Sequence, residues 1–243
     1  MKRLCIQLDD VAFMRFALKS DLYDPVQFGI LAENFGAHSL ACTFIASGSK
    51  GISERDVQIL KETRKSFLNV KVPVQQEAVR VALSVTPDML TFVDAKSSEP
   101  GNIQPIDETL HLVSIEDMLP DLQANNISVA VFIQPEISIL RNLSKYSIDY
   151  VELDTSKYTG AEDINEEMLN LDKIKSAAIA AAKLGLGVNC SGGIGYAHIA
   201  PLAQIPNMED IIIGGQLIRN ALFKGIEKAV DEAIQLIRYR EYD

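Results

Sequence analysis

The stretch VNCSGGIGY, Val188 to Tyr196, places a Ser-Gly-Gly turn directly behind a short apolar run. DIIIGGQLIR, Asp210 to Arg219, repeats the arrangement: an isoleucine-rich run, a Gly-Gly turn and the opening of a helical pattern. A strand that leads through glycine into a helix is half of a β-α unit, and such units build parallel sheets. Working outward, six more runs of the same kind precede these two. They are Leu4–Asp9, Ser39–Phe44, Asn69–Val74, Met89–Asp94, Ser128–Ile133 and Tyr150–Thr155, and the last pair are set as Leu186–Ser191 and Asp210–Gly215. Between them lie helical patterns with readable ends. Asp24-Pro25 precedes VQFGILAENFG, Ser53 and Asp56 precede VQILKETR, and DKIKSAAIAAAKLG closes on Gly185. Eight strands alternating with helices, without a reversal, predict an α/β protein whose sheet closes into a (β/α)8 TIM barrel rather than opening into a doubly wound sheet.

The 243 residues suit one such barrel, so residues 1–243 are read as a single domain. With 47% hydrophobic and 23% charged residues the chain can bury a full core. Its formal net charge of -10 and the lack of a basic patch speak against a nucleic-acid partner. MKRLCIQLDD enters a strand at once and no window approaches eighteen apolar residues, so no membrane partner and a cytoplasmic location are expected. Cys5, Cys42 and Cys190 are odd in number and far apart, which fits reduced core thiols rather than disulfides or a metal site.

The two glycine turns follow the seventh and eighth strands, where barrels of this kind often hold a phosphate on backbone N–H groups at a helix N-terminus. Glycine there serves either the approach of an anion or only a tight bend. Two long connections, Ala95–Thr109 and Ser156–Leu171, follow the fourth and sixth strands on the same face and are either candidate lids or surface padding. Lys71 alternates with Val70 and Val72 and faces the other way from them; it either pairs with an inward carboxylate such as Glu152, Asp9 or Asp154, or acts as a nucleophilic amine. Asp9 and Asp10 face opposite sides if the first strand persists, so at most one is expected in the site. His38, His111 and His198 all lie away from the expected strand ends; His198, just inside the helix after the seventh strand, is read as a solvated helix residue that could reach the glycine turn.

LDDVAFMR, YDPVQFGILAENFGA, ISERDVQIL, YVELDT, AAKLGLGVN, GGIGY and IIIGGQLIRNALFKGIEKAV together resemble the pyridoxine 5'-phosphate synthase family over nearly the whole chain. The resemblance implies a (β/α)8 barrel with extra helices or loops at the C-terminal face, forming dimers or higher homo-oligomers. It implies condensation of 1-deoxy-D-xylulose 5-phosphate with 3-amino-2-oxopropyl phosphate, two phosphorylated small molecules, with no metal and no organic cofactor. Glu152, Thr155, Asn189, Gly193, Gly214 and Arg15 match the family. Its Asn-x-Asp-His reads Gln7, Asp9 and Asp10 here; Thr43 and Ile45 replace a His-x-Arg, Leu18 an arginine, and Lys71 a glutamate. Gly-His-Gly reads Ser191-Gly192-Gly193, and Gly-His reads Gly214-Gly215. Lys71, Glu152 and Asp9 are therefore the candidate catalytic residues. Ser191, Gly192, Gly193, Gly214, Gly215, Gln7 and Asn189 are candidates for substrate or phosphate binding. Three functions stay open: the family reaction, a diverged non-catalytic relative that binds a phosphorylated metabolite or a partner, and an imine-forming enzyme built on Lys71.

Overall fold

A computed structural model describes residues 2–45, 50–94 and 103–238 of the chain. Eight parallel strands close on themselves in sequence order, β8 pairing with β1. In chain order the elements are β1 (Arg3–Gln7), α1 (Asp9–Leu18), α2 (Pro25–Asn34), β2 (Ser39–Thr43), α3 (Glu54–Thr63), β3 (Phe67–Pro73), α4 (Gln76–Val85) and β4 (Met89–Val93). There follow α5 (Glu108–Ala124), β5 (Ser128–Ile133), α6 (Ile137–Leu143), β6 (Tyr150–Asp154), α7 (Ser156–Thr159) and α8 (Ile164–Lys183). The last are β7 (Gly187–Ser191), α9 (Tyr196–Gln204), β8 (Met208–Ile213), α10 (Gly215–Lys224) and α11 (Ile226–Arg238). The (β/α)8 barrel expected from the eight runs is the fold.

Alternation along each strand divides the core in two. Leu4 and Ile6, Val70 and Val72, Val151 and Leu153, and Ile211 and Ile213 face outward and join the helices in one large apolar cluster. The lumen is smaller and far more polar. Cys5, Ala41 and Ile212 form a separate apolar patch inside it. Below that patch Arg3 pairs with Asp210, to which Ser39 Oγ also donates. Thr91 donates to Asn69 at 2.8 Å. A lumen filled by hydrogen-bonded and ionic side chains, rather than layers of branched apolar ones, holds each polar group in one orientation.

The helix ends follow the local signals. Asp24 accepts from Val26 N ahead of Pro25, and Ser53 and Asp56 form a reciprocal capping box on α3. One expectation needs correcting. The first strand ends at Gln7, and Asp9 and Asp10 are instead the first turn of α1, where acidic side chains favour a helix dipole. The long connection 156–171 holds α7 and the start of α8, and Asn170 Nδ2 donates to Lys157 O at 3.0 Å. Of the other connection, residues 95–102 with Lys96 lie outside the described residues, while Gln104 bridges back to Asp94.

Candidate functional site

The C-terminal ends of the strands enclose a cavity of about 420 Å³. It is lined by Gln7, Asp9 and Asp10 from the β1 side, Lys71 and Phe132 from β3 and β5, Asp154 and Ser156, the turns at 191–194 and 214–216, and Ile103–Pro105.

Lys71 lies on its floor, 1% exposed, and its Nζ pairs with the fully buried Glu152 Oε1 at 2.5 Å. Of the three inward carboxylates that could pair with Lys71, Glu152 is the one that does. Ser191 donates its hydroxyl to the same carboxylate oxygen, and Lys71 Nζ stands 5.8 Å from the centre of the Phe132 ring. Glu152 Oε2, though buried, has no hydrogen-bond partner among the described residues. An ammonium, a carboxylate and a hydroxyl are thus in line, with the first and last bordering the cavity and the carboxylate behind them.

Asp9 is occupied structurally. Its Oδ1 accepts from Thr43 N at 2.7 Å, and its Oδ2 from Thr43 Oγ1 and Gln7 Nε2. Burial nonetheless lifts its carboxyl above the ordinary range, against the pull of those donors. Asp154 is similarly engaged, by Ser156 N, Ser156 Oγ and Gln134 Nε2.

Asp10 differs. Burial raises its carboxyl too, partly offset by the nearby Gly215 backbone N–H. The carboxylate therefore sits at the start of α10. A Cβ on Gly214 or Gly215 would come within 3.0 or 3.3 Å of Asp10 Oδ2. Both Asp9 and Asp10 face the mouth, contrary to the expectation of at most one, because the chain turns helical at this point. Sequence reasoning leaves Asp10 out of the candidate set for that reason, although two acids opening an amphipathic run are a helix-start signal.

The seventh-strand turn is built differently. Gly192 and Gly193 have φ of +116° and +67°, and a Cβ on Gly192 would meet Asp154 Oδ1 at 2.6 Å. These glycines are required by conformation and close packing whether or not a ligand is bound. Asn189 lies deeper and does not line the cavity; its Oδ1 accepts from Asp210 N at 3.2 Å, where the β7–β8 ladder shifts register. Gln7 does line it. His198 is half-buried, accepting from Gly195 N at 3.0 Å and packing edge-on against Tyr158, so it is a helix-start residue rather than a solvated one.

With the cavity placed, the chain can be set beside known proteins. A family model described as "Pyridoxal phosphate biosynthesis protein PdxJ" matches residues 4–239. The chain belongs to the PdxJ family. Among PdxJ relatives, a pyridoxine 5'-phosphate synthase from Geotalea daltonii is 34% identical over 98% of this chain and 100% of its own length. One from Geobacter sulfurreducens is 31% identical with the same coverage. Solved structures with the same barrel are more distant in sequence. KGPDC from Streptococcus mutans has a TM-score of 0.64 at 10% identity, with 98% of each chain covered. A mutant tryptophan synthase alpha-subunit from Pyrococcus furiosus has a TM-score of 0.64 at 13% identity, again with 98% of each chain covered. Against this PdxJ background, the ionisable side chains lining the described mouth are Asp9, Asp10, Asp154 and Lys71, so acids outnumber the one cation. Among the described residues no cluster of His, Cys, Asp or Glu could hold a metal ion, and no helix is long and apolar enough to cross a membrane.

Proposed function

We propose that the mouth cavity is the active site of a pyridoxine 5'-phosphate synthase type of reaction, joining 1-deoxy-D-xylulose 5-phosphate to 3-amino-2-oxopropyl phosphate. The observation that carries this reading is the buried Lys71–Glu152 pair on the cavity floor, at the strand ends where barrel chemistry is done. Imine formation, dehydration and ring closure each require a proton to be moved. The Lys71 ammonium can deliver one to a departing oxygen, and Glu152 can take one up through Ser191, whose hydroxyl joins it to the cavity. A positioned acid or base contributes about 10²- to 10⁴-fold per transfer. In this reading a substrate phosphate rests at the turn after β7, and the working form is a cytoplasmic homo-oligomer. The test is product formation by the purified protein given both substrates. Activity lowered at least about 100-fold in Glu152→Gln and Lys71→Met is the expected result; no product above a protein-free control would overturn the reading.

A second reading rests on the same lysine. Its Nζ borders the cavity with a carboxylate beside it to receive a proton, which is what an imine-forming amine needs. The amine would add to a ligand carbonyl and expel water. Borohydride reduction in the presence of 1-deoxy-D-xylulose 5-phosphate would then fix the ligand's mass on Lys71. Binding with neither reduction nor turnover would leave the barrel as a non-catalytic relative.

A further inference from the structure

We propose that the barrel wall between α6, α7 and α8 carries a second ligand site, apart from the mouth, which takes a neutral ring-sized molecule bearing hydroxyl or amino donors. The inference goes beyond the reaction proposed above and does not rest on it.

The site is a cavity of about 510 Å³, within the size range of small-molecule pockets. Its walls are largely apolar. Pro135 and Ile137 come from the end of β5 and the start of α6, and Leu169 and Ile174 from α8. Ile137 is 43% exposed and Leu169 56%, so a ligand laid between them removes apolar surface from water.

Three polar side chains line the same space, each with one atom unspent. Tyr158 is 2% exposed and packs edge-on against His198, yet its hydroxyl has no hydrogen-bond partner among the described residues. A buried hydroxyl left unpaired costs free energy that a ligand bond would return. Burial pushes that hydroxyl up to about 12, so it stays neutral. Asn170, also buried, donates Nδ2 to Lys157 O at 3.0 Å, and the carbonyl partner fixes which end of the amide is the oxygen. Gln134 donates Nε2 to Asp154 Oδ2 at 2.8 Å, with the same consequence. Asn170 Oδ1 and Gln134 Oε1 are therefore acceptors without a donor among the described residues, and they call for a ligand with O–H or N–H groups. The rim selects no charge. Exposed Lys157 and Lys173 stand against exposed Glu136 and Asp172, and Asp154, the wall shared with the mouth, already accepts three hydrogen bonds.

The probes are resorcinol and 1,3-dimethoxybenzene, which share a ring and differ in the two O–H donors. The ether is the more apolar of the two, so a preference for resorcinol isolates the donors. Titrated into the full, isotopically labelled chain, resorcinol should move the side-chain amide resonances of Asn170 and Gln134 and bind about tenfold more tightly than the ether. Tyr158→Phe, which removes only the hydroxyl, should weaken resorcinol about fivefold. Equal affinity for the two probes, or movement at the Gln7 amide in place of Gln134, would overturn the site, and the wild-type comparison decides this without any variant. A second copy of the chain covering Ile137 and Leu169, seen as a sedimentation coefficient that falls in Leu169→Ser, would overturn it too. None of these readouts depends on product formation, so the site and the reaction stand or fall separately.

Discussion

At the scale of single residues, the decisive pair is Lys71 and Glu152. Both charges have left water, so each depends on the other, and removing one strands its partner in the lumen. Lys71→Met should cost about 3–5 kcal/mol in urea unfolding, and adding Glu152→Leu should recover most of that loss. A cost below about 1 kcal/mol would mean that Glu152 finds another donor or takes up a proton. Asp9 gives a pH signature instead. Burial raises its carboxyl in the native chain, so the native form holds that proton to higher pH than the unfolded form does. The stability it contributes is full below the unfolded value near 3.8 and is lost as pH rises through the native value. Asp9→Asn has no such proton. The wild type should therefore lose ground to the variant as pH rises from about 3.5 to 7, measured by urea unfolding at each pH; a difference that grew in the opposite sense would refute the burial account.

At the scale of elements, α1 and α3 are stitched together through one carboxylate. Asp56 caps α3 with Ser53 and also accepts both Arg15 Nη1 at 2.9 Å and Arg15 Nη2 at 2.6 Å. Burial alone would raise the Asp56 carboxyl, but Arg15 and Ser53 outweigh it and hold it below the ordinary value. Its contribution is thus present above about pH 3.8 and lost as pH falls through the native value, opposite in sign to that of Asp9. Ser53→Ala should cost about 1 kcal/mol as a lost cap, read from the urea midpoint, and Arg15→Ala should lower stability near neutral pH while flattening its loss in acid, because the Asp56 carboxyl is then no longer held below its unfolded value. The caps of α2 and α3 were legible in the sequence because a cap is a local event within four residues. Strand direction at Lys71 was legible for the same reason. The end of β1 was not: LDD continues an alternating pattern, and only the ladder partners of Gln7 and the helical turn after Leu8 settle where the strand stops. Nor could the sequence say what fills the α10 N-terminus, since the carboxylate that does so lies about two hundred residues earlier and meets it only when the barrel closes.

At the scale of the whole molecule, closure removes every sheet edge, and the three thiols test how completely. Cys5 faces the lumen while Cys42 and Cys190 face the helices, and all three are fully buried. Burial pushes each thiol well above its ordinary pKa, so a thiolate forms only when water reaches it. If the barrel opens as one unit, Cys5, Cys42 and Cys190 label together at a rate set by the population of the unfolded form. The seam most able to break that unity is β7–β8, where the ladder shifts between Val188 and Cys190. Asn189 mends the shift by accepting from Asp210 N, and this gives the residue a reason to be there that involves no ligand. Asn189→Ala should therefore let Cys190 react with a thiol reagent ahead of Cys5 and Cys42, followed by mass spectrometry of the labelled peptides. Simultaneous labelling in the variant would show that the strands hold the seam without the side chain. Cys190 reacting early in the wild type would mean that this side of the mouth opens while the rest of the barrel stays closed.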